Sequence, residues 1–415
     1  MILLGINSVF HDCSAALIQD GRVLAMAEEE RFSRIKHAKP ARVDNPHELP
    51  IASIRYCLDK AGLTARDIDG FCFSFDPERR RQTFRLDPLG AAGDWGHREG
   101  ENTFLASLAQ VPAQLGELLG EEVADRFRWV PHHVAHAASA YYPAGYQDAA
   151  VLVIDGIGES TAGLLMRGEG TQLTPLEEIE FPHSLGFLWE KLSKYLGFSE
   201  YDACKVMGLA SYGDSQGVNG EFSKLAQLTP EGFAIDPRIA AFRAADFTAL
   251  NDLLGPERQR TDPITADHYA IAAALQDYTD DAVLTMAKTA RRLAPSENLC
   301  YAGGVALNCV ANWRLKEESG FENVFIPSAP NDSGTAAGAA LSFYYDTDRD
   351  AVPSTIQLDP YLGPAYSNRD VEETLAQSGL EYRRDEDVAA EAARRVAQGE
   401  VVGWFQGGME FGPRA

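Results

Sequence analysis

One unit of strands and turns occurs twice in this chain, and it limits the folds that the sequence can adopt. The first copy consists of the apolar segments MILLGIN, CSAALIQ and RVLAMAEE, with Asp20-Gly21 between the last two. Asp-Gly between apolar segments is typical of a tight hairpin, because both central residues accept a positive φ. The segments AAVLVID, AGLLMRG and TQLTPLEEIEF repeat the plan from about residue 149. The repeat predicts two similar halves that face each other, although single hairpins of this kind occur in many α/β proteins.

Helical and strand-like segments alternate after the second copy. The pattern predicts a long helix over DHYAIAAALQDYTDDAVLTMAKTARRLA, a buried strand over NLCYA, and a helix in NDSGTAAGAALSFYY that opens with N-cap residue types. Proline and polar residues follow at 351–364, and we place a domain boundary there. Residues 1–355 are then one α/β domain with halves of roughly 1–148 and 149–355. Residues 356–415 begin a second α/β unit, with two helices and the strand VVGWFQGG.

Charge and composition exclude several classes of protein. The net charge of −24 would repel a phosphate backbone, which argues against a nucleic-acid partner. No apolar segment has the length needed to cross a bilayer, and MILLGINSVFHD lacks the features of a signal peptide. The six cysteines are scattered without a C-x-x-C pair, as expected for reduced thiols. We therefore expect a cytoplasmic enzyme without a membrane partner.

Three of the nine histidines stand together in VPHHVAHAASAYY. The i, i+4 spacing of His132 and His136 puts both rings on one face of a helix, where they could share a metal ion. His133 lies about 100° around the helix from His132 and does not easily join that pair. A carboxylate would complete a two-histidine site typical of Fe(II). The best candidate is Asp332, which could instead serve only as a helix N-cap.

Two turns between strands are candidates for binding phosphate. Residues 7–12 and 155–160 are rich in small or polar residues, and their backbone N–H groups could cradle phosphate oxygens. If the halves face each other, His11, Asp12 and Asp155 point at the same ligand. The second copy also offers Gly156, and a buried strand ends at Gly303-Gly304. These last glycines could admit a flat ring or a phosphate, or could simply allow close packing.

The sequence therefore predicts an adenine nucleotide in the cleft between the halves. We expect its phosphates near the residues of the two turns and its adenosine near Gly303, Gly304 and Asn308. The segment RFSRIKHAKPAR, which includes Lys36, is either an anion-attracting rim over these turns or a solvated face. Periodicity says nothing about the role of Lys205 in KVMGLASYG, and we count it with Lys36 among the candidate cofactor-binding residues.

Seven stretches, taken together, resemble one enzyme family. They are, in chain order, GINSVFHDCSAAL, EEERFSRIKHAK, HHVAHAASAYY, KVMGLASYG, AGGVALNC, PNDSGTAAGAAL and GWFQGGMEFGPRA. The whole chain is similar to the O-carbamoyltransferases of nodulation-factor and antibiotic biosynthesis, the NodU/CmcH type. The resemblance implies a Kae1-like domain with the duplicated actin-like (ASKHA) fold, followed by a YrdC-like α/β domain.

The resemblance also implies a reaction. Carbamoyl phosphate and ATP form carbamoyl adenylate in the YrdC-like domain, and the Kae1-like domain passes the carbamoyl group to a substrate hydroxyl. There, a metal held by His132, His136 and Asp332 engages the adenylate, and the family implies iron. A general base must take the proton of the alcohol, and His11, Asp12 and His133 are the candidates.

The chain departs from the family at its end and at one residue. It stops at GPRA, where members continue through most of the YrdC-like domain, so we expect the 415 residues to be a truncated form. Gly408 stands where the family motif suggests a basic residue. The acceptor, whether an antibiotic, a nodulation factor or a sugar, is not indicated by the residues, and neither is the oligomeric state. Two alternatives are a Kae1-type tRNA-modifying transferase and a non-catalytic, actin-like nucleotide-binding scaffold.

Overall fold

Twelve strands build the sheets of the protein, in a computed structural model that describes residues 1–244, 246–351 and 359–413. The strands are β1 (Ile2–Asn7), β2 (Ser14–Gln19), β3 (Arg22–Glu28), β4 (Gly70–Phe73), β5 (Phe127–Trp129), β6 (Asp148–Ile154), β7 (Thr161–Glu169), β8 (Gln172–Glu180), β9 (Ala226–Leu228), β10 (Phe233–Ile235), β11 (Asn298–Ala302) and β12 (Asn323–Phe325). β9 and β10 form a small hairpin, and the other ten strands form two five-stranded sheets.

The described residues form sixteen α-helices. They are α1 (Glu30–Ser33), α2 (Ile51–Ala61), α3 (Pro77–Thr83), α4 (Arg98–Leu108), α5 (Val111–Leu119), α6 (His132–Ala144), α7 (Leu185–Tyr195), α8 (Ala203–Ala210), α9 (Asn219–Leu225), α10 (Pro237–Ala240), α11 (Thr248–Leu254), α12 (Ala266–Leu293), α13 (Cys309–Glu318), α14 (Thr335–Thr347), α15 (Asn368–Ser378) and α16 (Val388–Ala397). None of them is both long enough and apolar enough to cross a bilayer.

The two large sheets have the same topology, which confirms the predicted duplicated α/β fold. Their strand orders are β3-β2-β1-β4-β5 and β8-β7-β6-β11-β12. In each sheet the first three strands pair antiparallel and the last two add in parallel. The hairpin of β2 and β3 turns at Asp20 and Gly21, both with positive φ, as the Asp-Gly pair predicted.

Each half lends one helix to the sheet of the other. α6 follows the first sheet in the chain but packs on β6, β7 and β11, while α14 follows the second sheet and packs on β1, β2 and β4. The two exchanged helices also pack against each other. Their close approach depends on Gly338, since a Cβ atom there would lie 1.8 Å from the carbonyl oxygen of Ala135. α6 and the turn before α14 carry the three residues predicted from the sequence as metal ligands.

Gly338→Ala is therefore expected to destabilise the protein and to disturb the proposed metal site together. The added methyl forces α6 and α14 apart, and such overpacking costs about 1–3 kcal/mol. Denaturant unfolding measures the first effect and metal titration of the folded variant the second. Gly208→Ala on α8 is the matched control, because no atom of the described residues lies within 4 Å of the Cβ it would add. Equal stability of the two variants would contradict the close contact at Gly338.

The C-terminal residues correct one prediction. The two predicted helices are present as α15 and α16, but VVGWFQGG is not a strand. Its only pairing among the described residues is an isolated bridge between Ala365 and Gly408, and Val401 is fully exposed. An apolar segment forms a strand only where a neighbouring strand satisfies its backbone. The predicted boundary between residues 355 and 356 lies in 352–358, outside the described residues, so the two-domain division stays a prediction.

Candidate active site

Four ligand-type side chains converge where the exchanged helices meet the second sheet. His132 and His136 come from the first two turns of α6, Asp155 follows β6, and Asp332 lies in the turn before α14. One ligand atom from each residue lies within 4.8 Å of the other three, and all four residues are buried. The three proposed metal ligands thus stand together, joined by Asp155, which the sequence analysis had assigned to phosphate binding.

The separations within this cluster are those of ligands around an ion. Asp155 Oδ2 lies 3.4 and 3.5 Å from the Nε2 atoms of His132 and His136, and Asp332 Oδ1 lies 3.6 and 3.5 Å from the same atoms. These distances are longer than a normal N–H···O hydrogen bond. Metal–ligand bonds of about 2.1 Å in a tetrahedral site put ligand atoms about 3.4 Å apart. The four residues therefore fit a divalent metal.

The imidazole of His132 is oriented to offer Nε2. Nδ1 of His132 lies 3.1 Å from the carbonyl oxygen of Ser74, so it carries the proton and leaves the lone pair on Nε2. Among the described residues, the Nε2 atoms of His132 and His136 are buried without a hydrogen-bond partner. Asp332 makes no capping bond at the start of α14, which removes the alternative that it serves as an N-cap. Buried nitrogens without partners are costly, and a metal ion would satisfy them.

The electrostatics of the cluster favour a bound cation. Burial disfavours the imidazolium of His132, but the carboxylates of Asp332 and Asp155 outweigh burial and raise its pKa well above the usual range. Burial opposes ionisation of Asp332, yet His11 and His132 lower its pKa to about 2. Two ionised carboxylates in one buried site require positive charge, which a divalent metal supplies with neutral imidazoles.

A buried ion pair supports the start of α6. Glu159 Oε1 accepts hydrogen bonds from the backbone N–H groups of His132 and Asp76, both at 2.9 Å. Arg80 donates to the carbonyl oxygen of Glu159 at 2.7 Å and forms two 2.9 Å bonds with the carboxylate of Glu101. Glu159 thus links the turn after β6 to the first residue of α6.

A second cluster is centred on Asp12. His11 Nδ1 lies 2.9 Å from Asp12 Oδ2, and His37 Nδ1 lies 2.7 Å from Oδ1. Asn331, the neighbour of Asp332, donates to Oδ2 at 2.7 Å. Burial opposes a proton on His11, but Asp12 and then Asp332 outweigh it and raise the pKa of His11 to about 10. The candidate bases His11 and Asp12 therefore form one hydrogen-bonded unit, which Asn331 joins to the turn that carries Asp332.

The third candidate base, His133, has a different environment. Its Nδ1 lies 2.9 Å from Thr161 Oγ1, and its Nε2 lies 3.7 Å from Asp155 Oδ2. Burial lowers the pKa of His133, and Asp155 opposes this only in part. The His133 ring packs against the rings of His132 and His136, with centroids 5.6 and 6.3 Å away, and Asp155 is its polar contact among the four ligand-type residues. It lies beside the pair, as the helical spacing predicted.

The turns that carry Gly156 and Gly303-Gly304 lie against the candidate metal ligands. Asp155 Oδ1 accepts a 2.8 Å hydrogen bond from the N–H of Gly304, so one carboxylate joins the cluster to the turn after β11. Gly303 has φ +95°, and a Cβ there would lie 2.2 Å from the carbonyl oxygen of Ile154. Gly156 packs beside Phe187 of α7. Close packing against β6 thus explains why a glycine stands at position 303, and no ligand is needed for that explanation.

Three other residues that the sequence analysis proposed for cofactor binding have partners within the protein. Lys36 pairs with Glu30 at 2.9 Å and Lys205 with Asp202 at 2.7 Å, and both lysines are more than half exposed. The side chain of Asn308 caps α13 through the N–H of Ala311 and exchanges hydrogen bonds with Gln276. The described contacts give each of these residues a structural role, and their part in cofactor binding stays a prediction.

Four functional candidates were not predicted from the sequence. They are Asp155 as a ligand, and Glu159, His37 and Glu190. Glu190 lies on α7 beside Gly156, and burial raises its pKa to about 7. Only Asp155 carried a signal, since it follows a buried strand in a turn already singled out. The others depend on contacts between distant segments.

The sequence model named Carbamoyltransferase N-terminus matches residues 2–341. An uncharacterised protein of Synechocystis is 39% identical over all of this chain, and the nodulation protein NolNO of Sinorhizobium fredii is 34% identical over 99% of it. The 3'-hydroxymethylcephem-O-carbamoyltransferase of Streptomyces clavuligerus is 30% identical over 52% of it. The chain spans 69%, 58% and 37% of the lengths of these three proteins.

Proposed function

Since the chain belongs to the carbamoyltransferase family, we propose that it transfers a carbamoyl group to a hydroxyl of a small molecule. The observation that carries the proposal is the proximity of a metal-type cluster and an oriented base, His11, linked through Asp12 and Asn331. One relative is named as an O-carbamoyltransferase acting on a hydroxymethylcephem. By analogy we propose a secondary metabolite or sugar as the acceptor, with no nucleic-acid partner.

We propose carbamoyl adenylate, formed from ATP and carbamoyl phosphate, as the donor, and Fe(II) as the metal. His132, His136, Asp155 and Asp332 would hold the ion. When bound, it supplies a Lewis acid that polarises a phosphate or carbamoyl oxygen of the donor. The acceptor oxygen then forms a bond to the carbamoyl carbon, the bond from that carbon to the phosphate oxygen breaks, and AMP leaves with the bonding electrons. AMP is a good leaving group because its phosphate stabilises the negative charge that it carries away.

His11 is the base that the contacts favour. Its Nδ1–H donates to Asp12, which leaves Nε2 to accept the proton of the acceptor hydroxyl. No described residue forms a hydrogen bond with His11 Nε2, and the side chain is 27% exposed, so a substrate has access. Asp12 accepts three side-chain hydrogen bonds and serves as the group that orients His11.

The charge state of His11 depends on its neighbours. With a pKa of about 10, the ring is protonated at neutral pH and does not act as a base. Asp12 is the largest of the charges that raise this pKa, and the carboxylate of Asp332 adds to the rise. A cation held by Asp332 would offset the second contribution and leave the first. The pKa of His11 would therefore be lower with a metal bound, which favours its role as a base.

The alternatives receive less support. A nucleotide-binding scaffold has no need for two buried imidazoles whose Nε2 atoms lack partners among the described residues. A tRNA-modifying transferase would bind a polyanion, which the net charge of −24 opposes.

We expect carbamoyl transfer by this chain to require the metal. When carbamoyl adenylate is supplied, we expect transfer to proceed without ATP. We would incubate the protein with freshly prepared carbamoyl adenylate and a panel of hydroxylated acceptors, with Fe(II) or with a chelator. Mass spectrometry detects the acceptor with one added carbamoyl group. His11→Asn should lower the transfer rate by about 10²–10⁴-fold, the contribution of a general base. Transfer that is equal with and without the chelator would refute the proposed mechanism.

A further inference from the structure

His37 lies at the centre of contacts that neither the proposed reaction nor the family comparison explains. We propose that His37 is a positioning residue, which acts on His11 through the carboxylate of Asp12. The proposal rests on the proposed function, in which His11 is the base. It gives a second histidine, 26 positions after His11 in the chain, the role of orienting that base.

The hydrogen bonds define what His37 does. Its Nδ1 lies 2.7 Å from Asp12 Oδ1, while His11 Nδ1 lies 2.9 Å from the other oxygen of the same carboxylate. Asp12 also donates its backbone N–H to the carbonyl oxygen of His37 at 3.0 Å. His37 therefore holds both the carboxylate and the backbone of Asp12, and it sets the plane in which Asp12 receives His11.

The same residues have an uncommon backbone conformation. Asp12, His37 and Ala38 have φ of +52°, +63° and +65°, and none of them is glycine. A non-glycine residue in this region costs free energy and persists where surrounding contacts enforce it. The N–H of His37 donates to Glu30 Oε2 at 2.7 Å, which fixes the segment from its other side. The strained backbone at the contact between Asp12 and His37 indicates that their relative position serves a function.

The ring of His37 is also held by packing. Tyr201 stacks on it with ring centroids 4.6 Å apart and planes at 28°. The edge of Tyr201 meets the ring of His11 at 5.6 Å. Both imidazoles thus pack on one tyrosine, and their own rings meet in a T-shaped contact with centroids 5.9 Å apart. Packing therefore couples the two rings in addition to the hydrogen bonds through Asp12.

The cluster is a hydrogen-bonded unit and not a second metal site. Its N···O separations of 2.7 and 2.9 Å are normal hydrogen-bond lengths, shorter than the 3.4–3.6 Å between ligand atoms in the first cluster. An ion placed between these atoms would require the rings to move apart. The role left for His37 is to donate a hydrogen bond from Nδ1 to Asp12 and so hold the carboxylate of Asp12 in place.

Two substitutions separate the Nδ1–H bond from the rest of the ring. In His37→Asn, the side-chain amide nitrogen takes nearly the position of Nδ1 and retains a donor to Asp12. In His37→Leu, the side chain is similar in size but donates nothing. Positioning through Asp12 therefore predicts that asparagine restores what leucine removes.

The first measurement is NMR of ¹⁵N-labelled histidine rings in the full chain, with Zn(II) as the added metal so that the spectra stay diamagnetic. We expect the ¹⁵N signals of the His11 ring to shift in His37→Leu and to return towards those of wild type in His37→Asn. His268→Asn, at the start of α12, is the control for assignment and folding. If the His11 signals are unchanged in a folded His37→Leu variant, or shift equally in both His37 variants, the proposal is wrong.

The second measurement is transfer from carbamoyl adenylate. We expect His37→Leu to lower kcat about 10–100-fold with little change in the acceptor KM, as for other residues that orient a functional histidine, and His37→Asn to recover most of it. A rise in KM in both variants would show that His37 binds the acceptor directly, against the proposal. If no acceptor is carbamoylated by wild type, the proposed function fails, and the NMR result still decides the role of His37.

Discussion

Replacing His132 and His136 together by alanine is expected to abolish binding of a divalent metal. Both Nε2 atoms face the carboxylates of Asp155 and Asp332, and the double substitution removes half of the ligand set. Loss of an outer partner of a metal ligand already weakens binding about 10–100-fold, so loss of two ligands should exceed 100-fold. Elemental analysis of purified protein and titration with Fe(II) or Co(II) measure the effect.

The matched control is His268→Asn, which changes a histidine outside both clusters. His268 Nδ1 accepts the N–H of Thr265 at the start of α12, a contact that asparagine retains. This variant should bind metal as wild type does. Equal metal content in the double variant and the wild type would place the metal elsewhere.

Metal affinity should rise with pH. The ligand form of histidine is the neutral imidazole, and nearby carboxylates raise the pKa of His132 and His136 in the metal-free protein. Protons therefore compete with the metal below these raised pKa values, and binding releases protons. Calorimetric titration in buffers of different ionisation enthalpy counts the protons released. Affinity that falls as pH rises over the same range would contradict this charge balance.

Arg80→Ala is expected to cause the largest loss of stability of any single substitution considered. The Arg80 side chain is 1% exposed and the Glu101 side chain 9% exposed, and they share two hydrogen bonds. Removing one partner leaves a buried charge without compensation, which costs about 3–5 kcal/mol. Arg79→Ala on the same helix is the control. Its ion pair with Glu178 is partly exposed, so its loss should cost less than about 1 kcal/mol.

The same substitution should also weaken metal binding. Arg80 holds the carbonyl oxygen of Glu159, whose carboxylate receives the N–H of His132. A second variant separates stability from positioning: Arg80→Met with Glu101→Leu removes both charges and should recover much of the unfolding free energy. Because methionine cannot donate to Glu159, metal affinity should stay reduced in this variant. Recovery of both properties would show that Arg80 acts through stability alone.

The sequence determined the features that depend on neighbouring residues. Asp20-Gly21 fixes a hairpin because both residues accept positive φ, and the repeated pattern of apolar segments predicted two sheets of one topology. The spacing of His132 and His136 puts their rings on one face of α6, whatever that helix packs against. These properties are local, and the residue types alone enforce them.

Tertiary structure decided which distant groups meet. The sequence offered Asp155 as a phosphate residue, and the packing of α6 on β6 brings its carboxylate to the histidines. The exchange of α6 and α14 places Asp332 opposite the same rings, and close packing at Gly338 holds it there. His37 had no pattern that set it apart until Asp12 joined it to His11. VVGWFQGG has the composition of a strand, but no strand of the described residues bonds its backbone, and there it forms no sheet. Residue types set local conformation and the available chemistry, whereas strand register and helix packing set which of these groups lie within bonding distance.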